Sequence, residues 1–531
     1  MTTVADFIAG KLTRSGVERV YGLPGGENVE ILDAIRRRGM GFMLVRNESS
    51  ACFMAATEAR LTGKIGVALT TLGPGAANAY AGLAHAWLDR APVLLISAAD
   101  DPEVRGRHSH QALDLEAVFR PICKLTAELT VANAADTVQG AITLARAPRP
   151  GPVHISLHNR VAAQAMPSLN PPRPPKATVA DSGGDVAALR RLLADKVKPI
   201  IIVGLGLEPD QPYSQIRRLA ESLNAPVIDT PKSKGALSAD HLLFAGAIGL
   251  TRADPVYELL DEADCILAIG FDVVELVKPW QSGKPLAWIA NWPNHDPAIR
   301  CELELTGDIV EMLEALGEVP ANAGRDWGAE RVRRFRMEQR ARPLPEPADR
   351  RILPQSFLAS LRENTPDDII ISTDVGSHKI FAALEWPARR ANRYFVSNGL
   401  SAMGFGLSSA IAAAEVTGQA VVCITGDAGL AMVMGELGLL VERQLPVLIA
   451  VMNDSALDLI RAAQLRRGRP AFGTEFANPD YAYIAKGYGL DYHRVESRAD
   501  CDAAIRAFIA SRAPTLVDVK IDPAGYPRTV T

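Results

Sequence analysis

Two acidic side chains, Asp427 and Asp454, each follow a short apolar run, and their placement is suited to chemistry. The runs are Val421 to Thr425 and Val447 to Met452; both are apolar and rich in β-branched residues, as strands buried on both faces are. Between them, Gly426-Asp427-Ala428-Gly429 turns the chain into a helical pattern from Leu430 to Glu442. In open parallel sheets, ligands sit at the carboxyl ends of the strands. Two carboxylates at that edge can face one hard cation, and amide N–H groups at a helix start can receive a phosphate. The stretch therefore reads as a site for a magnesium-bridged diphosphate, although the same residues also make ordinary turns and caps. A third carboxylate, Glu48, follows a predicted strand from Phe42 to Val45, where it also suits a helix N-terminus.

The elements that must hold these residues fall into three α/β regions. From Thr3 to about Gln164, helical patterns alternate with strands at Val20 to Gly22, Phe42 to Val45, Gly66 to Thr71, Val93 to Ala98 and Val153 to Leu157. Pro167 to Pro175, with polar residues on to Asp185, predicts an extended linker. A second region, about Val186 to Val319, shows strands at Ile200 to Val203, Pro226 to Ile228, Cys265 to Ile269 and Leu286 to Ile289. Its turn Gly204-Leu205-Gly206 begins like a dinucleotide fingerprint, but Pro209 stands where the third glycine belongs. After a Pro-rich connection from Arg340 to Pro354, a third region predicts strands at Asp368 to Ser372, Tyr394 to Val396, Ala420 to Ile424, Val447 to Val451 and Thr515 to Val519. The expectation is three α/β domains, each a mainly parallel sheet flanked by helices, over 1–166, 186–340 and 350–531.

Composition agrees with that plan. At 531 residues the chain is too long for one core and suits about three. A hydrophobic content of 48% with 22% charged residues is that of a globular protein. The net charge of −4 offers no basic field for nucleic acid, and no apolar run reaches membrane-spanning length. Six cysteines are scattered without CxxC spacing, and the N-terminal twenty residues form a charged amphipathic helix pattern rather than a signal peptide. The expected location is the cytoplasm.

The stretch between Gly426 and Asp454 resembles the diphosphate motif of the thiamine diphosphate (ThDP) enzymes, with 27 positions from Asp427 to Asp454. Ala428 replaces the usual glycine and Asp454 the usual second asparagine; neither change removes an oxygen ligand. Other segments resemble the same family. RNESSACFMAATEARLTGK around Glu48 is similar to its Arg-His-Glu stretch, with Asn47 in place of His, and Thr70 to Ala98 is similar to its Gly-Pro-Gly loop and following helix. His110 to Lys124, Thr373 to Pro387 and Ser397 to Leu407 resemble the acetolactate (acetohydroxyacid) synthase branch.

The resemblance implies a pyrimidine-binding domain, a central domain and a diphosphate-binding domain. It implies that Glu48 engages the cofactor's aminopyrimidine, favouring the imino tautomer that removes the C2 proton, and that Gln111 is an active-site residue. It implies further cofactor contacts from Gly25, Pro74 and Asn78 in the first region. In the third they are Val375, Gly376, Ser377 and His378, then Ser401 and Met403, the latter propping the cofactor in its bent shape. Gly426, Asp427, Ala428 and Gly429 would hold the diphosphate end with Asp454, Ala456, Leu457 and Leu459. Asp427, Asp454 and the Ala456 carbonyl would bind Mg2+.

The implied reaction is decarboxylation of a 2-oxo acid with carboligation to a second oxo compound. Simple decarboxylation, with His108 or His110 supplying protons, and a non-catalytic ThDP-binding paralogue are the alternatives. Ala463 stands where biosynthetic synthases usually carry a Trp that favours a larger acceptor. Gly270 to Trp280 looks closer to the catabolic acetolactate synthases, which need no flavin, so FAD is left open. A homodimer or homotetramer with sites between subunits is implied.

Overall fold

The computed structural model describes residues 2–101, 110–167, 186–319, 327–347 and 351–526. Most of the expected linker after Pro167, residues 348–350 of the second connection, and His108 lie outside them. The described chain contains three six-stranded parallel sheets flanked by helices, as the alternating pattern predicts.

The first sheet is built from β1 (Arg19–Leu23), β2 (Gly41–Leu44), β3 (Gly66–Thr70), β4 (Val93–Ala98), β5 (Thr126–Glu128) and β6 (Val153–Leu157), in the order β2-β1-β3-β4-β6-β5. The second comprises β7 (Pro199–Val203), β8 (Val227–Asp229), β9 (Phe244–Ala247), β10 (Cys265–Ile269), β11 (Leu286–Ala290) and β12 (Leu303–Thr306), ordered β12-β11-β10-β7-β8-β9. The third has β13 (Ile370–Thr373), β14 (Tyr394–Val396), β15 (Val421–Gly426), β16 (Val447–Asn453), β17 (Asp491–Val495) and β18 (Thr515–Lys520), ordered β14-β13-β15-β16-β18-β17. Numbered within themselves, the first and third sheets share one order, 2-1-3-4-6-5. The second is 3-2-1-4-5-6, the order of the dinucleotide-binding folds.

By packing, the chain divides into two compact units. One comprises Met1–Ala177 with Leu400–Thr417 and Val433–Glu442; the other comprises Thr178–Gly399, Gly418–Met432 and Arg443–Thr531. In the first unit, the helix Glu48–Thr62 starts at an Asn47 cap that accepts from the Ser49 N–H, and it stops at Gly63, whose φ of 67° closes the last turn. Small residues along it admit a second helix, Phe405–Thr417, which is buried almost all round and pairs with it. Phe53 meets Phe405 edge-on at 5.7 Å, and the Thr57 hydroxyl donates to Ser409 at 3.0 Å.

One local expectation differs. The pattern predicts a single helix from Leu430 to Glu442. Instead a helix starts at once with Asp427, ends at Val433, tightens to a 3-10 turn over Met434–Glu436, and resumes at Leu437. Val433 leaves helical geometry (φ −129°), and the turn brings Glu436 into the first unit's interior.

Candidate active site

The site candidates divide between the two units. In the first, Glu48 lies one residue past the loop after β2 and is buried. Asn78 Nδ2 donates to its Oε2 at 3.1 Å. A Cβ on Gly75 would lie 3.1 Å from Glu48 Oε1 and 2.6 Å from Thr71 Cγ2, so the Pro74–Asn78 helix approaches this carboxylate only because residue 75 is glycine. Gly25 packs beside Thr71, which donates to Glu27 at 2.7 Å. Gln111 backs directly onto Gly73, and both have positive φ. The structure thus brings Gly25, Glu48, Pro74, Asn78 and Gln111 to one region at the carboxyl ends of β1, β2 and β3. Ser401 and Met403, one exposed and one half-buried, belong to this unit as well.

In the second unit the remaining candidates collect at the carboxyl ends of β13, β15 and β16. Gly376 precedes the helix Ser377–Glu385, and Gly426 ends β15; a Cβ on either would crowd the His378 ring, at 2.5 and 3.0 Å. His378 is buried and its Nε2 has no hydrogen-bond partner among the described residues. Burial lowers its pKa to about 4, so the ring is neutral at physiological pH. Ser377, expected as a phosphate donor, donates to Asp458 at 2.7 Å. Asp374 accepts from Thr425 at 3.1 Å and from the Val375 N–H at 2.8 Å, while a Cβ on Gly429 would come 2.4 Å from its Oδ2.

The two aspartates expected to bind metal differ in their partners. Asp427 Oδ1 accepts from the Ala428 N–H, and its Oδ2 accepts from the Ser455 N–H and Asn478 Nδ2, all at 2.8 Å. Asp454 Oδ1 accepts a long 3.3 Å bond from the Ala456 N–H. Its Oδ2 is buried without a hydrogen bond and lies 3.6 Å from Arg461 Nη2, close enough for an ion pair but too far for a hydrogen bond. Burial and then the neighbouring Asp427 push the Asp454 carboxyl up to about 7, and burial also raises Asp427. Two buried carboxylates, one of them raised by the charge of the other, are a donor set suited to a dication, so the residues fit Mg2+. The open His378 nitrogen beside two obligate glycines likewise fits a diphosphate. Ala456 is held in place by backbone bonds on either side, Leu457 N–H to Thr474 O at 2.8 Å and Phe476 N–H to Ser455 O at 3.2 Å. Leu457, Leu459 and Ala463 follow it, each half-buried.

Two residues that the sequence reading passes over are tied to these candidates. Asn478 bridges Asp427, Asn453 and Ser455 with a single amide group, at 2.8, 3.0 and 3.2 Å. Glu436 is buried, and its Oε1 accepts the N–H groups of Arg46 and Asn47 at 2.9 and 3.0 Å, fixing the turn immediately before Glu48. Its signal in the sequence is a lone carboxylate inside the apolar stretch Leu430 to Leu440.

Three family models match this chain: the thiamine pyrophosphate enzyme N-terminal TPP binding domain over residues 2–118, its central domain over 186–316, and its C-terminal TPP binding domain over 374–519. Among similar proteins, the acetolactate synthase of Bacillus subtilis (strain 168) is 29% identical over 98% of this chain and 93% of its own length. The acetolactate synthase isozyme 3 large subunit of Escherichia coli (strain K12) is 30% identical over 92% and 89%. The catabolic acetolactate synthase of Raoultella terrigena is 30% identical over 98% and 96%.

Proposed function

The chain belongs to the thiamine pyrophosphate enzyme family, in the branch of the acetolactate synthases, and from that premise we propose that it decarboxylates a 2-oxo acid and ligates the product to a second oxo compound. The observation that carries this reading is Glu48, a buried carboxylate oriented by one amide and flanked by Gly75, where a Cβ would lie 3.1 Å from its other oxygen. When bound, thiamine diphosphate supplies the electron sink that lets a 2-oxo acid lose CO2. Glu48 would face the pyrimidine ring and exchange a proton with it, with Asn78 Nδ2 holding its Oε2 in place. Gly25, Pro74 and Asn78 shape that end, and Met403 supplies an apolar support. His378, with the N–H groups at the start of its helix, would receive the diphosphate, and Asp427, Asp454 and the Ala456 carbonyl would hold Mg2+. Gln111, facing the Gly73 turn, contacts substrate.

The working form is a homodimer or homotetramer in the cytoplasm. Six free cysteines, mostly buried, support a reducing compartment. Among the described residues no helix is long and apolar enough to cross a membrane.

Product analysis tests the reading. With pyruvate, ThDP and Mg2+, acetolactate is the expected product. Acetaldehyde alone would overturn ligation in favour of simple decarboxylation, and no turnover with bound cofactor would overturn catalysis on this donor.

A further inference from the structure

The second sheet has the strand order of a dinucleotide-binding fold, and such a fold takes its ligand where β7 and β10 lie side by side and the connections diverge. In this chain the groups that would greet a pyrophosphate are spent internally. The Gly206 N–H donates to the Gly270 carbonyl at 2.7 Å, and the Gly204 N–H to the Ile269 carbonyl at 3.0 Å. The Leu205 N–H donates to Glu275 Oε2 at 3.0 Å, an oxygen that also accepts from the Asp272 N–H at 3.2 Å, while the Thr230 hydroxyl donates to Oε1. Glu275 is 1% exposed. A Cβ on Gly204 would fall 2.4 Å from Phe271 Cα and 2.5 Å from Glu275 Oε2, so the two loops are already in closest contact.

The other parts of a nucleotide site are also diverted. The helix after β7 begins only at Tyr213, so its N-terminus does not follow the glycine turn directly. Asp229, at the end of β8 where a ribose-binding carboxylate would stand, is buried 3.8 Å from the equally buried Lys234 Nζ. The residues of this crevice therefore do not fit FAD.

We propose that the central domain is closed to flavins and adenine dinucleotides because the Glu275 side chain occupies the pyrophosphate position of its own fold. The same loop has acquired a bracing task. Asn398 Nδ2 donates to the Glu275 carbonyl at 2.6 Å, and the Val277 N–H donates to the Gly249 carbonyl at 2.7 Å. The loop that fills the crevice thereby fastens the segment leading toward Ser401 and Met403.

The test titrates the full-length protein, loaded with ThDP and Mg2+, with FAD and separately with ADP, reading flavin fluorescence and equilibrium dialysis. No bound flavin or ADP up to millimolar concentration is expected; one flavin per chain at micromolar affinity would overturn the proposal. Glu275→Ser empties the position while leaving a hydroxyl. Its melting temperature is expected to rise with inorganic phosphate where that of the wild type does not. A folded variant indifferent to phosphate would overturn the assignment of the carboxyl group as the phosphate's stand-in. Should that variant fail to fold, the wild-type titration decides the matter alone.

Discussion

At the scale of single residues, hydrogen-bond partners rather than residue type set the carboxylate proposed to work apart from the structural ones. Glu48, Glu275 and Glu436 are all buried, yet Glu436 and Glu275 accept backbone N–H groups, whereas the partner of Glu48 is a side-chain amide. Glu48→Gln keeps the shape and removes the exchangeable carboxyl proton. Its kcat is expected to fall by about 10²–10⁴-fold, the usual worth of a general acid–base group, with ThDP still bound in calorimetry. An unchanged rate would remove Glu48 from catalysis. Glu275 makes a different prediction. Burial pushes its carboxyl up to about 8, against 4.5 for an ordinary Glu. Across that window the folded protein keeps a proton that the unfolded chain has released, so this group's contribution to stability declines as pH rises from about 4.5 to 8. Glu275→Gln preserves an acceptor for the loop N–H groups and abolishes that slope. Melting temperatures measured from pH 5 to 8 should therefore fall less with pH in the variant; parallel curves would refute the shift.

At the scale of elements, the sequence announces every central strand and two of the six edge strands, Gly41–Leu44 and Tyr394–Val396. The strands it leaves unread, Thr126–Glu128, Phe244–Ala247, Leu303–Thr306 and Asp491–Val495, each lie at a sheet edge. Edge strands cover one flank only, so their side chains are partly exposed, as in Asp491–Val495, and no apolar run marks them. The strands that carry Asp427 and Asp454 are central, which is why their ends were legible. The partner of the first of those ends, Asn478, comes from a loop 51 residues beyond Asp427, whose approach no local pattern encodes. Two predictions belong here. Asp427→Ala is expected to weaken ThDP retention at least about tenfold, because the residue directly follows the end of a central strand, where a parallel sheet takes its ligand; EDTA should act in the same direction on the wild type. Calorimetry showing unaltered ThDP affinity would dismiss the metal assignment. Glu436→Ala leaves two N–H groups before Glu48 unpaired, at a cost of about 1–3 kcal/mol each if they stay buried. It should lower both the melting temperature and kcat, with Glu436→Gln restoring most of each; full activity in a stably folded Glu436→Ala protein would show that this turn does not position Glu48.

At the scale of the whole molecule, the first and third sheets share one strand order, and under the proposed function the strand ends of both serve one cofactor. The helix pair Glu48–Thr62 and Phe405–Thr417 shows how a segment from between β14 and β15 packs against the first sheet's own helix within one compact unit. A second copy presents the same surfaces, so an assembly with twofold symmetry can form two equivalent sites, each drawing its pyrimidine end and its diphosphate end from different chains. Complementation separates that arrangement from one confined to a single chain. Glu48→Ala and Asp427→Ala chains, each nearly inactive alone, are co-expressed with different tags, and dimers carrying both tags are isolated. If the ends come from different chains, a mixed dimer holds one site with both defects and one with neither. Its activity should then be about half that of wild type, for two independent sites. If each chain supplies both ends of its own site, every site in the mixed dimer carries one defect and the activity stays at the level of the parents. Finding that low level in a stable, doubly tagged dimer would place Glu48 and Asp427 of one chain on the same cofactor and reject sharing between subunits.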